Sequence, residues 1–316
     1  MVMSRPSTLT VLVTGASTGL GLAIARKLIA AGHQVVLTAR AESLPRFAEE
    51  GITEGPGVWL RALDVTRSDQ REPLVDWIEA ELGGVDVLVN NAGVSYRAVV
   101  EHVTETERMG QLDVNFRSAM EMARLVLPGM RARRWGRIIS VSSVGGMMAM
   151  PTMGVYSASK WALEGASEAL WYEVRPWNIG VTLIEPGFIN SDGFLKVRYT
   201  PMAAQASADP TSPYYGHYTH MAGFIGKVMR RVRATPESVA DKVLKTIDAR
   251  NPPLRVAATL DAWIFFWLRR LLPRRLYHWV LYRNLPGVRT WGDAPPQVET
   301  QPARSATQAS TRSSPP

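Results

Sequence analysis

Residues 8–190 alternate between short apolar, β-branched runs and longer stretches of helical spacing, and few architectures satisfy that alternation. The runs are TLTVLVTG (8–15), QVVLTAR (34–40), VWLRALDV (58–65), VDVLVNNAG (85–93), GRIISVSS (136–143) and IGVTLIEPG (179–187). Helical patterns at 20–32, 69–82, 104–132 and 156–175 separate most of them, and Gly32 suits the left-handed position after the first. Strands that are apolar throughout must be covered on both faces. Alternating with helices, they predict an α/β fold: a doubly wound parallel sheet, Rossmann-like, binding its ligands beyond the carboxyl ends of the strands. A helix (236–249) and a short strand (253–258) complete one domain over 8–258. Within it, 188–235 reads as a long irregular insertion, rich in Pro, Gly, Ser, Tyr and Met up to residue 223, and such insertions often serve as lids. Residues 259–291 read as an amphipathic helical extension split by Pro273, and 292–316, with almost nothing apolar, as a disordered tail.

The 316 residues include no cysteine, which excludes disulfides, thiolate metal sites and cysteine nucleophiles and suits a reducing, cytoplasmic setting. No signal peptide is evident, and no apolar run approaches the roughly 20 residues of a spanning helix. Charge is unevenly placed: seven Arg and one Asp stand from Arg255 to Arg289, so +6 of the chain's +8 falls there. Nucleic-acid binding asks for a basic face on the folded domain, so no nucleic-acid partner is expected. A local basic, aromatic segment suits a membrane surface or a partner protein. Trp263 to Tyr282, with Arg269, Arg270, Arg274 and Arg275, is thus a candidate peripheral membrane contact. A cap over the substrate pocket or a subunit contact is the plainer alternative. In either case the segment is expected to pack near the lid with its arginines outward.

VTGASTGLG places Gly15, Gly19 and Gly21 between the first strand and the first helix. Glycines there let the backbone turn tightly and approach a pyrophosphate at the helix N-terminus. The spacing is G-x-x-x-G-x-G, not the standard G-x-G-x-x-G, and no Lys–Ser/Thr pair follows to make a P-loop. The second strand ends LTAR, with Ala39 and Arg40 where an NAD-binding chain usually offers an acid to the ribose. A guanidinium can pair with a 2′-phosphate, so NADP(H) is expected over NAD(H). In GVYSASKWALEG (154–165), Tyr156 and Lys160 stand i and i+4 and share a helix face. A phenol titrates at about 10, too high for proton transfer at neutral pH, and an adjacent ammonium is expected to lower it. Ser143 closes the fifth strand thirteen residues before Tyr156, where its hydroxyl can hold a substrate oxygen. Asn115, at the start of a long helical pattern, can hold a water.

TGASTGLG, NNAG (90–93), Asn115, VSSVGG (141–146), YSASK (156–160) and PGFINS (186–191) together resemble, in order and spacing, the short-chain dehydrogenase/reductase family over residues 8 to about 190. The sheet order expected is 3-2-1-4-5-6-7. The resemblance implies reversible hydride transfer between a nicotinamide cofactor and a carbonyl or secondary alcohol. It makes Tyr156 the general acid/base, Lys160 its partner and a ribose contact, Ser143 the substrate-oxygen donor and Asn115 the water holder. Ser142 competes with Ser143, but the thirteen-residue offset favours Ser143. The cofactor would meet Gly15, Ser17, Thr18, Gly19, Leu20 and Gly21 at its phosphates and Arg40 at its ribose. Asp64 and Val65 would meet the adenine; Asn91, Ala92 and Gly93 would face it from the fourth strand. Pro186, Gly187, Ile189 and Ser191 would bind the nicotinamide, Ser191 standing where the family commonly has Thr. SVGGMMAMP and YSASKWALEGASEALWYEV resemble, more narrowly, the steroid and retinol dehydrogenase branch. They imply a hydrophobic substrate, steroid-, retinoid- or lipid-like, in a homodimer or homotetramer. Met147, Met148, Met150 and Met153 either line such a pocket or pack beneath a loop. His217 and His220 are expected on a surface loop, and no metal site is expected. Two other functions compete: a nucleotide-binding regulator without turnover, against which the intact Ser–Tyr–Lys set argues, and a membrane-associated scaffold.

Overall fold

The computed structural model describes residues 7–190 and 198–293, so Ser191 and residues 294–316 lie outside what is described. Seven strands form one parallel sheet: β1 Thr10–Val13, β2 Gln34–Ala39, β3 Val58–Ala62, β4 Val87–Asn90, β5 Gly136–Val141, β6 Ile179–Glu185 and β7 Arg255–Ala257. Their spatial order is 3-2-1-4-5-6-7, as expected. The order reverses between β1 and β4, where a doubly wound sheet opens a crevice at its carboxyl edge. Every residue of β1, β4 and β5 is buried, which explains their unbroken apolar pattern.

Helices cover both faces. On one, α1 (Gly19–Ala30) packs with α8 (Pro236–Asp248), through Leu22, Ile24 and Leu28 against Val239, Val243 and Ile247. On the other, α2 (Ser68–Leu82), α4 (Ser118–Arg133) and α5 (Gly154–Val174) bury Leu74, Ile78, Met122, Val126 and Leu170. α1 closes just before Gly32, whose φ of +75° is the left-handed turn read from the sequence.

Two stretches depart from expectation. The pattern at 104–132 is not one helix: α3 (Glu105–Leu112) and α4 are joined by a π-helical turn, Asp113–Arg117. Asn115 therefore lies in a mid-helix irregularity, a feature frequent at functional sites, and not at a helix start. The insertion is also less irregular than its composition. It holds α6 (Pro201–Ala208) and α7 (Tyr215–Met229), and Arg198–Tyr199 pairs in parallel with Tyr96–Arg97. In α7 the buried Tyr218, Met221, Ile225 and Met229 have helical spacing, but intervening Gly, His and Thr residues hide it. His217 and His220 consequently sit half-buried on a helix, His217 stacked on Trp291 at 4.4 Å and His220 accepting from its indole N–H at 3.2 Å. Among the described residues no group of three His, Asp or Glu side chains is placed to hold a metal.

The extension is a hairpin of α9 (Leu260–Leu271) and α10 (Arg274–Arg283), with Pro273 at the turn between them. No helix among the described residues is long and apolar enough to cross a membrane.

Candidate active site

The carboxyl ends of β1, β4, β5 and β6 gather the expected side chains. At β1, Gly15 and Gly19 take φ of +64° and +55°, and a Cβ on Gly21 would overlap the Gly15 carbonyl oxygen. Thr18, at the N-cap of α1, makes no capping bond and the first turn has no acid, so the helix N-terminus presents free N–H groups. Ser17 is buried, Leu20 half-buried, and Thr18 and Gly19 are exposed. This cradle fits a dinucleotide pyrophosphate.

Thr14 organises the loop. Its hydroxyl accepts from the backbone N–H groups of Asn91 and Ala92 at 3.0 and 3.1 Å. The Asn91 side-chain amide donates back to the carbonyls of Thr14 and Gly15 at 3.0 and 2.9 Å. Asn91 thus clamps the glycine loop to β4, and its partner Thr14 escaped the sequence reading. The signal, a threonine directly before Gly15, was present but silent without the fold.

Arg40 leaves the end of β2 exposed, with Nε 3.1 Å from Glu42 Oε1. Asp64 Oδ1 accepts from the backbone N–H and hydroxyl of Thr66 at 2.9 and 2.7 Å, leaving its second oxygen for other work; Val65 beside it is buried. Arg40 stands within electrostatic reach of Asp64.

The hydroxyl of Ser143 meets the phenol of Tyr156, and Ser143 Oγ accepts from Gly145 N at 3.0 Å. The competing Ser142 is buried, and its hydroxyl shares with Glu164 the space beside Gly146. Tyr156 is half-buried by surface, yet its hydroxyl is surrounded by protein, and that desolvation raises the phenol above its ordinary value; Ser143 pulls the other way. The direction is opposite to the expected one. Lys160 Nζ, 5.9 Å from the ring centroid, does not offset the burial. Lys160 is itself buried and donates to the Val141 carbonyl at 2.8 Å, and desolvation brings its amine down to about 8.

Asn115 is buried. Its Oδ1 accepts from Val94 N at 2.8 Å, and its Nδ2 donates to Val94 O at 2.8 Å and Ser159 Oγ at 2.9 Å. A Cβ placed on Gly93 would stand 3.4 Å from Asn115 Oδ1 and 3.9 Å from Lys160 Nζ, so the two groups flank Gly93 together.

Pro186, Gly187 and Ile189 are buried behind the site. The backbone N–H of Gly187 donates to Thr259 Oγ1, and that of Phe188 to Asp261 Oδ2, each at 2.9 Å. A Cβ on Gly187 would overlap the Asp261 carboxylate, so glycine is required by close approach. Thr259 and Asp261 open α9, and the extension thereby holds the segment expected to bind nicotinamide.

Val144, Met147, Met148 and Met150 pack against Phe265, Phe266, Leu268, Leu272, Tyr277 and Leu281 of the hairpin. Two of the arginines are exposed yet held by contacts. Arg269 donates to the Met147 carbonyl and lies 4.4 Å from the centroid of Trp161, and Arg270 lies 3.4 Å over Phe266. On the insertion side, Phe188 and Met150 pack with Met221, Ile225 and Met229 of α7.

This sheet, loop and Ser–Tyr–Lys set define a nucleotide-dependent oxidoreductase site. Residues 9–200 match the short chain dehydrogenase family, and the chain belongs to it. It is 38% identical over 245 residues to a 3-ketodihydrosphingosine reductase of Bacteroides thetaiotaomicron, covering 78% of this chain and 86% of that one. It is 33% identical over 255 residues to human retinol dehydrogenase 8, covering 78% and 80%. A short-chain dehydrogenase structure from Streptomyces avermitilis superposes with a TM-score of 0.70 at 31% identity, over 83% of this chain and 92% of that one.

Proposed function

We propose that this oxidoreductase is an NADP(H)-dependent reductase of a hydrophobic ketone or aldehyde, working reversibly on the matching alcohol. One observation carries the reading: a phenol kept protonated by burial meets the Ser143 hydroxyl, with Lys160 one helical turn away. A bound dinucleotide would supply a hydride to the carbonyl carbon. Gly15, Ser17, Thr18, Gly19, Leu20 and Gly21 hold its phosphates, Arg40 the 2′-phosphate, Asp64 and Val65 the adenine, and Asn91, Ala92 and Gly93 its face toward β4. Pro186, Gly187 and Ile189, with Ser191 beyond the described residues, hold the nicotinamide end. Ser143 orients the carbonyl oxygen, and Tyr156 gives it the phenolic proton. Lys160 keeps its ammonium toward the ribose and the phenol, and Asn115 with a water returns the proton beside Gly93.

The methionines after Ser143, covered by the hairpin, supply an adaptable apolar wall. That wall, and relatives named for a ketodihydrosphingosine and for retinol, support a lipid-like substrate. A lipid-like substrate also suits a cytoplasmic homodimer or homotetramer in peripheral contact with a membrane through 263–282. The exposed Trp263, Ile264, Trp267 and Trp279 support that contact.

The test is Tyr156→Phe, assayed by NADPH consumption over a panel of hydrophobic ketones, with cofactor binding followed by nicotinamide fluorescence. Binding survives and turnover falls by at least a thousandfold. Turnover within tenfold of the parent protein removes Tyr156 from the chemistry.

A further inference from the structure

Behind Lys160 lies a second buried polar cluster that hydride transfer does not use. Glu164 follows Lys160 by one turn of α5 and is 6% exposed; Glu185 ends β6 and is 1% exposed. Glu164 Oε2 accepts from Arg255 Nε at 3.0 Å, while its Oε1 has no partner. Neither oxygen of Glu185 accepts a hydrogen bond from an N–H or hydroxyl donor, and its nearest cation, Arg255 Nε, stands 3.5 Å away. Glu164 Oε2 and Glu185 Oε1 thus flank the same Arg255 Nε, and with one guanidinium nitrogen between them the two buried carboxyls keep that arrangement only when one of them carries a proton. Two bare carboxylates enclosed at that depth would repel strongly, and Arg255 is already shared with Glu168 at 2.6 Å. The hydroxyl of Ser142 points into the same space without a partner.

We propose that Glu164 and Glu185 form a proton-sharing carboxyl pair that sets the charge state of Lys160, making both of them positioning residues for the Tyr156–Lys160 couple. The idea rests on the reading of Lys160 given above. Lys160 needs its ammonium form to hold a ribose and favour the phenolate, but burial disfavours that form. The one carboxylate acting against this loss is Glu164. How much negative charge Glu164 carries depends on where the shared proton sits. Glu164 accepts from Arg255 and Glu185 from no donor, so the shared proton belongs on Glu185 and the charge on the member paired with Arg255; burial and Glu164, which push Glu185 up to about 8, act in the same direction. The groups facing the pair are Lys160 and Glu168 on α5, Arg255 on β7, Arg270 on α9 and the Ser142 hydroxyl at the end of β5. Lys160 is faced by Tyr156 and Glu164 from its own helix, by the Val141 carbonyl from β5 and by Asn115 across Gly93.

The pair makes an unequal prediction for its two members. Glu164→Gln leaves the negative charge on Glu185, held by Arg255 and farther from Lys160, so the Lys160 midpoint falls. Glu185→Gln replaces the neutral, proton-carrying member by a neutral amide and leaves the charge beside Lys160 in place, so the Lys160 midpoint changes little. Both substitutions are near-isosteric. The experiment is a pH titration of the full chain carrying 13Cε-labelled lysine, read by NMR in the absence of substrate. The chain has only six lysines, and the Lys160 signal is assigned by its loss in Lys160→Met. We expect a downward shift of about one pH unit in Glu164→Gln and less than about half a unit in Glu185→Gln. No shift in Glu164→Gln, or a fall in Glu185→Gln as large as that in Glu164→Gln, overturns the proposal. If only one variant folds, the size of its shift decides: a fall of about one unit is required of Glu164→Gln and excluded for Glu185→Gln. The titration is independent of turnover, so an active Tyr156→Phe would defeat the catalytic reading and leave this result standing.

Discussion

Arg40 is the residue on which the proposed choice of NADP(H) turns, and its present partner limits what it can contribute. Its guanidinium is more than half exposed and paired with Glu42 at 3.1 Å, so a 2′-phosphate must compete with a surface carboxylate and with solvent. A charge-assisted phosphate contact under those conditions gives roughly a tenfold preference for NADPH over NADH, the low end of the range for such bonds. Arg40→Asp should reverse the preference, because an acid at the end of β2 accepts from a ribose hydroxyl and repels the phosphate. Glu42→Gln should strengthen NADPH binding two- to threefold by freeing Arg40. Fluorescence titration with both nucleotides measures all three, and equal affinities in the unaltered protein would remove Arg40 from the selection. Residues of this kind were legible in the sequence because side-chain chemistry and local spacing define them. Tyr156 and Lys160 lie one turn apart, Ser143 stands two residues past a strand, and Arg40 stands at a strand tip. The state of the phenol was not legible, since its burial depends on what packs over it.

At the scale of elements, the sheet order and the glycine turn could be read from sequence because each rests on short-range pattern. The π turn around Asn115 could not, since one extra residue per turn leaves the apolar periodicity of α3 and α4 nearly unchanged. Nor could Thr259 and Asp261, which hold Gly187 and Phe188 across more than 70 residues of chain. Their effect makes the hairpin part of the site and not an appendage. Asp261→Ala removes the acceptor for the Phe188 N–H and opens the space that Gly187 leaves for the carboxylate. Losing one such bond with its donor left buried costs about 1–3 kcal/mol. For a domain of this size that lowers the melting temperature by roughly 2–10 °C. Cofactor affinity should fall in parallel, since the strand end proposed to hold the nicotinamide loosens. Asp261→Asn, which keeps an acceptor in place, should recover most of both. Thermal melting with and without NADPH checks this, and an Asp261→Ala protein with unchanged melting and affinity would mean that the 187–188 segment is held by other contacts.

For the whole molecule, the question is how its apolar and charged surfaces are arranged relative to the pocket. Eight of the fourteen exposed large apolar side chains among the described residues lie between Leu260 and Tyr282. On α9, Leu260, Trp263, Ile264, Trp267 and Leu271 repeat at helical spacing and form one outward stripe, while Phe265 and Leu268 face the methionines above Ser143. The hairpin therefore has one face on the methionines after Ser143 and the other exposed, with Arg274, Arg275 and Arg283 exposed along α10. The proposed lipid-like substrate and membrane contact make this exposed face the one to test against a bilayer. Each arginine near an anionic surface contributes about 1 kcal/mol at low salt, and the Debye length of about 10 Å at 0.1 M screens most of that as salt rises. The indoles add a part that salt does not screen. Co-sedimentation with vesicles containing phosphatidylserine should show binding that weakens at least tenfold between low and high salt. Arg274→Glu with Arg275→Glu should abolish the salt-sensitive part. Trp263→Ser with Trp267→Ser should weaken binding equally at all salt concentrations. Point variants are preferable to removing the hairpin, because Thr259 and Asp261 would be disturbed with it. NADPH-linked turnover of a water-soluble ketone should stay unchanged in both pairs, as none of the four side chains faces the methionine wall. Absence of vesicle binding at any salt would leave the hairpin as a cap over the pocket or a contact between subunits.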